Sequence, residues 1–401
     1  MDSPILTPAG LARRLKRRFL KTEHSFFANC TPGLERFLEA EIRSIFGAKI
    51  TGTIPGGTAF SGPLELMYHA NLRLRTAHRV LLRIDSFVAR SYPELYNKCR
   101  KINWELYLGF APCVSFDATA KKSRLHHEEN VRKAVGDAVI RHMHELGVSV
   151  QPAEVAPIRI FIRFSDDTCT LSIDTSGELL NKRGYRQNTA KAPLRESIAA
   201  ALLMACDWQR DPVIADPFCG AGTFAIEAAQ MARSISAGSR RDFAFEHWPS
   251  FKSSVWQRIR SNALREELPE CKQTIRAGDI NAGAMKAARE NAERAGVDAS
   301  ITFCQSDCRD FNADGSLSPR GLIIANPPYG KRIGAQDELM TLYREFGDRL
   351  RKSCIGWNFG LVIADERYQK ALGLQASHRL AFSNGGIRVE FMMGKISADQ
   401  R

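Results

Sequence analysis

The chain has 401 residues, 44% of them hydrophobic, and carries 57 Lys and Arg against 44 Asp and Glu for a net charge of +13. At roughly 100 to 200 residues per domain, this length predicts two or three globular domains, each with a core. No apolar run approaches the roughly 18 residues of a membrane span, and no signal peptide precedes the first domain; the ten scattered cysteines form no CxxC pair or Cys/His cluster. A membrane location, a disulfide framework and a metal site are therefore not expected, and a reducing cytoplasm is.

Charge is unevenly spread, with 28 basic and 19 acidic residues up to position 190 and 29 against 25 beyond it. The front half is thus the expected surface for a polyanion, although charge that merely aids solubility fits composition as well. Within residues 1–24, the basic run Arg13, Arg14, Lys16, Arg17, Arg18 and Lys21 is interleaved with Leu11, Leu15 and Phe19 at helical spacing. It reads as a basic arm or solvated helix face, with a targeting presequence as the alternative.

From Ser25 the pattern predicts a short strand, a turn at Pro32 and Gly33, and an amphipathic helix ending near Gly47. Extended segments at 50–62 and 80–90 flank a helix over Leu64–Leu74, giving a small α+β domain over 25–90. A second α+β unit, 91–180, contains a strand at Val114–Ala120 and a helix at Glu128–Leu146. Strands Ile158–Phe164 and Cys169–Thr175 complete it, joined at Asp166 and Asp167. Beyond Asn181 strands alternate with helices: Val213–Asp216, Thr274–Asp279, Ile301–Ser306, Gly321–Asn326 and Phe359–Ala364, then a hairpin around Asn384, Gly385 and Gly386. That alternation predicts an α/β domain over 181–396 with a parallel sheet covered on both faces.

Asp216, Pro217, Phe218, Cys219, Gly220, Ala221, Gly222 and Thr223 follow an apolar strand and open a helix. Glycines at such a turn let backbone approach a ligand, and the helix N-terminus favours an anion, but tight turns also need glycine for geometry alone. The turn lacks the GKT or GKS of a P-loop and is not GxGxxG, which disfavours phosphate-bearing cofactors. At the next strand ends, the Asp279 carboxylate, followed by Ile280, could take both ribose hydroxyls, and Asp307 could accept from an adenine amine. Either carboxylate alone also fits a helix N-cap. All these residues fall at the sheet edge where open α/β folds bind ligands.

Asn326, Pro327, Pro328, Tyr329 and Gly330 leave another apolar strand, and two prolines with an aromatic are costly for a mere loop. An exocyclic amine has its lone pair delocalised into the base and must be turned toward tetrahedral geometry before it attacks a methyl group. The Asn326 side-chain oxygen and the Pro327 carbonyl can accept its hydrogens, and Tyr329 can stack on the base. No cysteine stands at this strand exit, which removes the covalent route of pyrimidine carbon methylation.

DPFCGAGT and NPPYG resemble the first and fourth motifs of class I methyltransferases that modify amines. More narrowly, FFANCTPGLERFLEAEI, YNKCRKINWELYL, LNKRGYR, APLRESIAAALL, FAFEHWPSF and GDINAGAMKAARENAERAG resemble, in that order, the THUMP-containing RlmL-like enzymes that make N2-methylguanosine in 23S rRNA. The resemblance covers roughly residues 25 to 395. It implies a ferredoxin-like domain, an RNA-binding THUMP domain and a Rossmann-like, seven-stranded class I methyltransferase domain.

The resemblance assigns S-adenosylmethionine (SAM) to Asp216, Gly220, Gly222, Asp279 and Asp307, with Phe218, Thr223, Ile280 and Asn326 beside it. Asn326, Pro327, Pro328 and Tyr329 would hold the amine. It further implies 23S rRNA or a large-subunit assembly intermediate as partner. Asp279 lies 63 positions after Asp216, against roughly 20 in a short βαβ step, because Ser234–Lys272 is inserted, as in the narrower family. The alternatives are tRNA guanine-N2 methylation, DNA adenine-N6 methylation and a catalytically silent RNA-binding protein. On this reading the catalytic half should bind cofactor without residues 1–180.

Overall fold

The computed structural model describes residues 5–187, 194–313, 318–329 and 336–398. The first unit runs α1 (Pro8–Arg18), β1 (His24–Asn29), α2 (Glu35–Ser44), β2 (Lys49–Ile54), β3 (Gly57–Gly62), α3 (Leu66–Arg73) and β4 (Arg79–Val88). Next come α4 (Tyr92–Arg100), α5 (Glu105–Leu108), β5 (Cys113–Lys121), α6 (Glu128–Glu145), β6 (Gln151–Pro152), β7 (Arg159–Ser165) and β8 (Thr168–Asp174).

These two units share one eight-stranded sheet in the order β2-β3-β1-β4-β8-β7-β5-β6. β4 pairs antiparallel with β8, Leu81 opposite Asp174 through Val88 opposite Thr168, so each unit covers an edge that the other would otherwise expose. The β7–β8 connection turns at Asp166 and Asp167, both with positive φ (49° and 60°), a conformation that aspartate tolerates better than most residues.

The basic segment at the N-terminus is not a free arm. Thr7 caps α1 by accepting from Gly10 N at 3.1 Å, with Pro8 in the first turn, where its missing N–H costs nothing. Leu6, Leu11, Leu15 and Phe19 are buried in the core of the front half, and Arg14 pairs with the buried Glu105 at 2.7 Å. Arg13, Lys16, Arg17 and Arg18 face solvent, so the helix is amphipathic and docked, with its charge on the outer side.

The second half contains α7 (Glu196–Ala205), β9 (Val213–Asp216), α8 (Thr223–Ala232), α9 (Ser253–Arg265), β10 (Thr274–Asp279), α10 (Ala282–Ala295), β11 (Ile301–Gln305) and β12 (Leu322–Ala325). It ends with α11 (Gln336–Ser353), β13 (Asn358–Ile363), α12 (Glu366–Leu372), β14 (His378–Asn384) and β15 (Ile387–Lys395). Its sheet has seven strands in the order β11-β10-β9-β12-β13-β15-β14, parallel except for β15, which runs antiparallel to both neighbours. Every residue of β9 and β12 is buried, as expected of central parallel strands covered on both faces. This is the parallel, two-faced α/β sheet that the strand and helix alternation predicted, in the Rossmann-like seven-stranded form that the resemblance implied.

The insertion between α8 and β10 has a structural role. Its Phe243, Phe245, Trp248, Trp256, Ile259 and Ala263 lie in the core of the front half, not that of the catalytic domain. The Tyr68 ring of α3 packs 4.8 Å from Phe245 and 5.8 Å from Trp256. Leu34 and Phe37 of the front half in turn enter the catalytic core. The two halves therefore interlock, and the expectation that the catalytic half stands alone conflicts with this packing. Burial of three or more aromatic side chains is worth several kcal/mol at about 25 cal/mol per Å².

Candidate active site

The turn after β9 is held from below. Asp216 is 3% exposed and its Oδ1 accepts from Phe218 N at 3.0 Å, so it shapes the turn and does not face solvent. Burial pushes its carboxyl well above the usual carboxylate range; the Phe218 N–H opposes this and nearby Asp279 adds to the rise. Gly220 and Gly222 both have positive φ, 52° and 85°. A Cβ at Gly222 would come within 3.2 Å of Ala288 on α10, whereas a Cβ at Gly220 would meet nothing within 4 Å. Gly222 thus permits close helix packing, and Gly220 borders open space. The Phe218 ring packs edge-on against Phe346, 5.0 Å away, and Thr223 accepts a hydrogen bond from Arg186.

Asp279, at the end of β10, reaches across to this turn. Its Oδ2 accepts from Gly220 N at 3.0 Å and its Oδ1 from Asn281 N at 2.9 Å. A carboxylate has about four acceptor sites, so two main-chain donors leave capacity for a vicinal diol. Ile280 beside it is 64% exposed, an apolar surface next to the carboxylate. Asp307, after β11, is differently placed: it caps the following turn through Arg309 N at 2.9 Å and pairs with the Arg309 guanidinium at 2.6 Å. That pairing holds its carboxyl below the ordinary value. Arg309, just two residues on, was invisible to a reading based on strand ends.

Asn326 follows β12, the strand beside β9. Its Oδ1 is buried, and among the described residues it has no hydrogen-bond partner. An unsatisfied buried acceptor costs about 1 to 3 kcal/mol, which marks a place where a ligand donor is wanted. Pro327 is buried, and the Pro328 carbonyl accepts from Tyr343 Oη at 3.2 Å, which fixes the path of the segment. Tyr329 is half-buried, and its Oη accepts from Asn384 Nδ2 at 2.7 Å. Asn384 sits at the tip of the β14–β15 hairpin, where the sequence signalled only a turn. Gly330 lies outside the described residues.

The structure therefore brings Asp216, Asp279, Asp307 and Asn326 to one edge of one sheet, at the C-terminal ends of four parallel strands. A cavity of about 540 Å³ lies elsewhere. It is lined by Leu322, Asn358, Phe359 and Lys395, at the opposite end of the sheet, and its Arg210 and Arg379 are already paired with Asp207 and Glu390. Buried acceptors without a partner among the described residues also occur on Asn29, Asn181 and Gln230; what sets Asn326 apart is its place at the strand-end edge that carries the open glycine turn.

A model of the methyltransferase domain described as RMKL-like matches residues 183–391, more than half of the chain. The chain belongs to this RMKL-like methyltransferase family. In front of that domain, residues 25–81 match the RlmL ferredoxin-like domain and residues 89–174 the THUMP domain. The chain is 34% identical over 382 residues to "Ribosomal RNA large subunit methyltransferase K/L" of Shewanella frigidimarina, covering 94% of this chain and 53% of the relative. The chain thus spans about half the length of the curated relatives it matches.

Among solved structures, a possible methylase from Clostridium difficile 630 superposes with a TM-score of 0.85 at 31% identity, covering 93% of this chain and 98% of that one. SMU.472, solved in complex with S-adenosylhomocysteine (SAH), gives 0.84 at 29% identity, covering 94% and 99%. A Listeria monocytogenes protein described as a predicted N6-adenine-specific DNA methylase gives 0.85 at 28% identity, covering 94% and 97%.

Proposed function

We propose that this chain uses SAM to methylate an exocyclic base amine in RNA, N2 of guanosine in 23S rRNA. The observation that carries this reading is the buried Asn326 Oδ1, without a partner among the described residues, three positions before Tyr329 and at the end of the strand beside the one that leads into the Gly220 turn, which Asp279 braces. The donor set suits SAM: Asp279 for the ribose hydroxyls, Ile280 against the adenine, and the Gly220 main chain where the amino-acid end would lie. Bound SAM supplies an electrophilic methyl group. Asn326 Oδ1 and the Pro327 carbonyl accept the amine hydrogens, which turns the nitrogen lone pair out of conjugation and toward that methyl. Tyr329, steadied by Asn384, stacks on the extruded base. Burial raises its phenol pKa, so the ring stays neutral at physiological pH.

The target RNA is supported by the THUMP match and by the rRNA methyltransferase names of the curated relatives. All ten cysteines are unpaired, which suits the cytoplasm, where ribosome precursors are assembled. DNA adenine-N6 methylation is the second reading. The description of the Listeria structure favours it, and the continuous eight-stranded front sheet with its THUMP half opposes it. Tritiated SAM incubated with separate 23S rRNA, tRNA and DNA pools, followed by nucleoside analysis, tests the proposal. N2-methylguanosine confined to the 23S pool is expected, and N6-methyladenosine in DNA would replace this reading with the second.

A further inference from the structure

Helix α8 begins immediately after the Gly220–Gly222 turn, so its position sets the position of the turn. Four residues beyond Thr223, on the same face of the helix, stands Glu227, which is completely buried. Its carboxylate meets Arg183 Nε at 3.3 Å, Tyr185 Oη at 3.5 Å and Arg75 Nη1 at 3.5 Å. Arg183 and Tyr185 belong to the segment that enters the catalytic domain. Arg75 belongs to the front half, between α3 and β4.

Arg75 is itself fixed on three sides. Its N–H donates to Glu41 Oε1 on α2 at 2.8 Å, and its carbonyl accepts from Arg183 Nη2 at 2.6 Å. Its Nη2 donates to the Ile235 carbonyl, just past the end of α8. One guanidinium therefore reaches α8 twice, through an ion pair with Glu227 at its middle, in which Nη1 makes no hydrogen bond, and through a hydrogen bond just past its C-terminal end. Above Glu227, Arg186 donates to Thr223 at the first position of α8 and pairs with Glu196 at 3.2 Å. On the neighbouring side, Asn291 Nδ2 donates to the Ala221 carbonyl of the turn itself at 3.0 Å.

A buried ion network is an expensive way to join two surfaces, since apolar residues of the same volume join them at least as stably. What charges add is geometry: an arginine fork and a carboxylate accept a narrow range of relative positions. We propose that Arg75 is a positioning residue for the cofactor turn, through which the RNA-binding front half sets the register of α8 by way of Glu227. This rests on the reading of that turn as the SAM site. The consequence is a front half that does more than collect RNA: its seating on the catalytic domain sets cofactor affinity.

Isothermal titration with SAH tests this on the full chain, using Arg75→Met, Arg75→Lys and the double variant Arg75→Met/Glu227→Met, with thermal melts alongside. Arg75→Met is expected to raise the SAH Kd about tenfold or more, and Arg75→Lys, a point charge without the fork, less. In Arg75→Met, Glu227 keeps Arg183 and Tyr185; the double variant leaves the Arg183 guanidinium without its carboxylate and is expected to melt lower than the single variant and to bind SAH no better. If the double variant binds SAH as the parent chain does, or if folded Arg75→Met binds SAH within about twofold of the parent chain, the residue is structural only and the proposal is wrong. Should Arg75→Met not fold, Arg75→Lys and the double variant decide the same point. A parent chain that fails to bind SAH would instead overturn the SAM reading itself.

Discussion

The catalytic edge and the domain junction handle polar groups in opposite ways. At the junction, Arg75, Arg183, Glu227 and Tyr185 are buried against one another as an ion network, in which Arg75 Nη1 lies 3.5 Å from Glu227 without making a hydrogen bond. At the edge, Asn326 Oδ1 is buried with no partner among the described residues, and Asp279 spends its oxygens on two main-chain donors only. A protein tolerates an unsatisfied acceptor where a ligand will satisfy it, and cross-links charges where two bodies must be held in register. At the strand-end edge the unspent capacity is a neutral amide acceptor with no counter-group, whereas at the junction it is a charged donor, Arg75 Nη1, already held beside a carboxylate.

The comparison is broken most severely by removing the junction. Deleting residues 1–180 strips Arg75 from Glu227 and exposes Phe243, Phe245 and Trp256, so SAH binding and cooperative unfolding are both expected to disappear. Calorimetry and circular dichroism check this, and a fragment that melts cooperatively and binds SAH normally would show the halves to be separable.

Within the edge, Asp279→Ala frees Gly220 N and, on the proposed reading, removes two charge-assisted hydrogen bonds to the ribose. SAH affinity should fall about tenfold or more, given roughly 1.5 to 3 kcal/mol per such bond before water compensates. Asp307→Ala should do less, about threefold or below, because that carboxylate is already engaged by Arg309, and an exposed pair of this kind contributes about 1 kcal/mol at most. Equal losses in the two variants, measured by the same titration, would erase the distinction between a poised acid and a spent one.

Much of the fold was legible because parallel strands buried on both faces read as continuous apolar runs. Val213–Ala215 and Leu322–Ala325 are such runs, and the motif residues follow directly from them. The glycine turn was legible as well, since two glycines before a helix have few other uses. The docking of α1 was obscured by its own charge, because five basic residues surround the three apolar positions that are buried. Fusion of the two front units through β4 and β8 left no local signal: an edge strand reads the same whether paired or open. The ring contacts of the insertion, Arg309 on Asp307, Asn384 on Tyr329 and Arg75 on Glu227 all depend on tertiary placement that no spacing encodes.

The smallest effect on cofactor affinity belongs to the residue with the largest expected effect on chemistry. Asn326→Ala removes an acceptor that has no partner among the described residues, while the Asp279 and Gly220 contacts remain. Single-turnover methyl transfer to 23S rRNA, measured beside SAH titration of the same variant, reads both properties. The rate should fall about a hundredfold or more, the scale for losing one pre-organised hydrogen-bonding group, with SAH affinity within about twofold of the parent chain. A variant that transfers methyl at the parental rate would contradict the account and leave Asn326 to Tyr329 as scaffold.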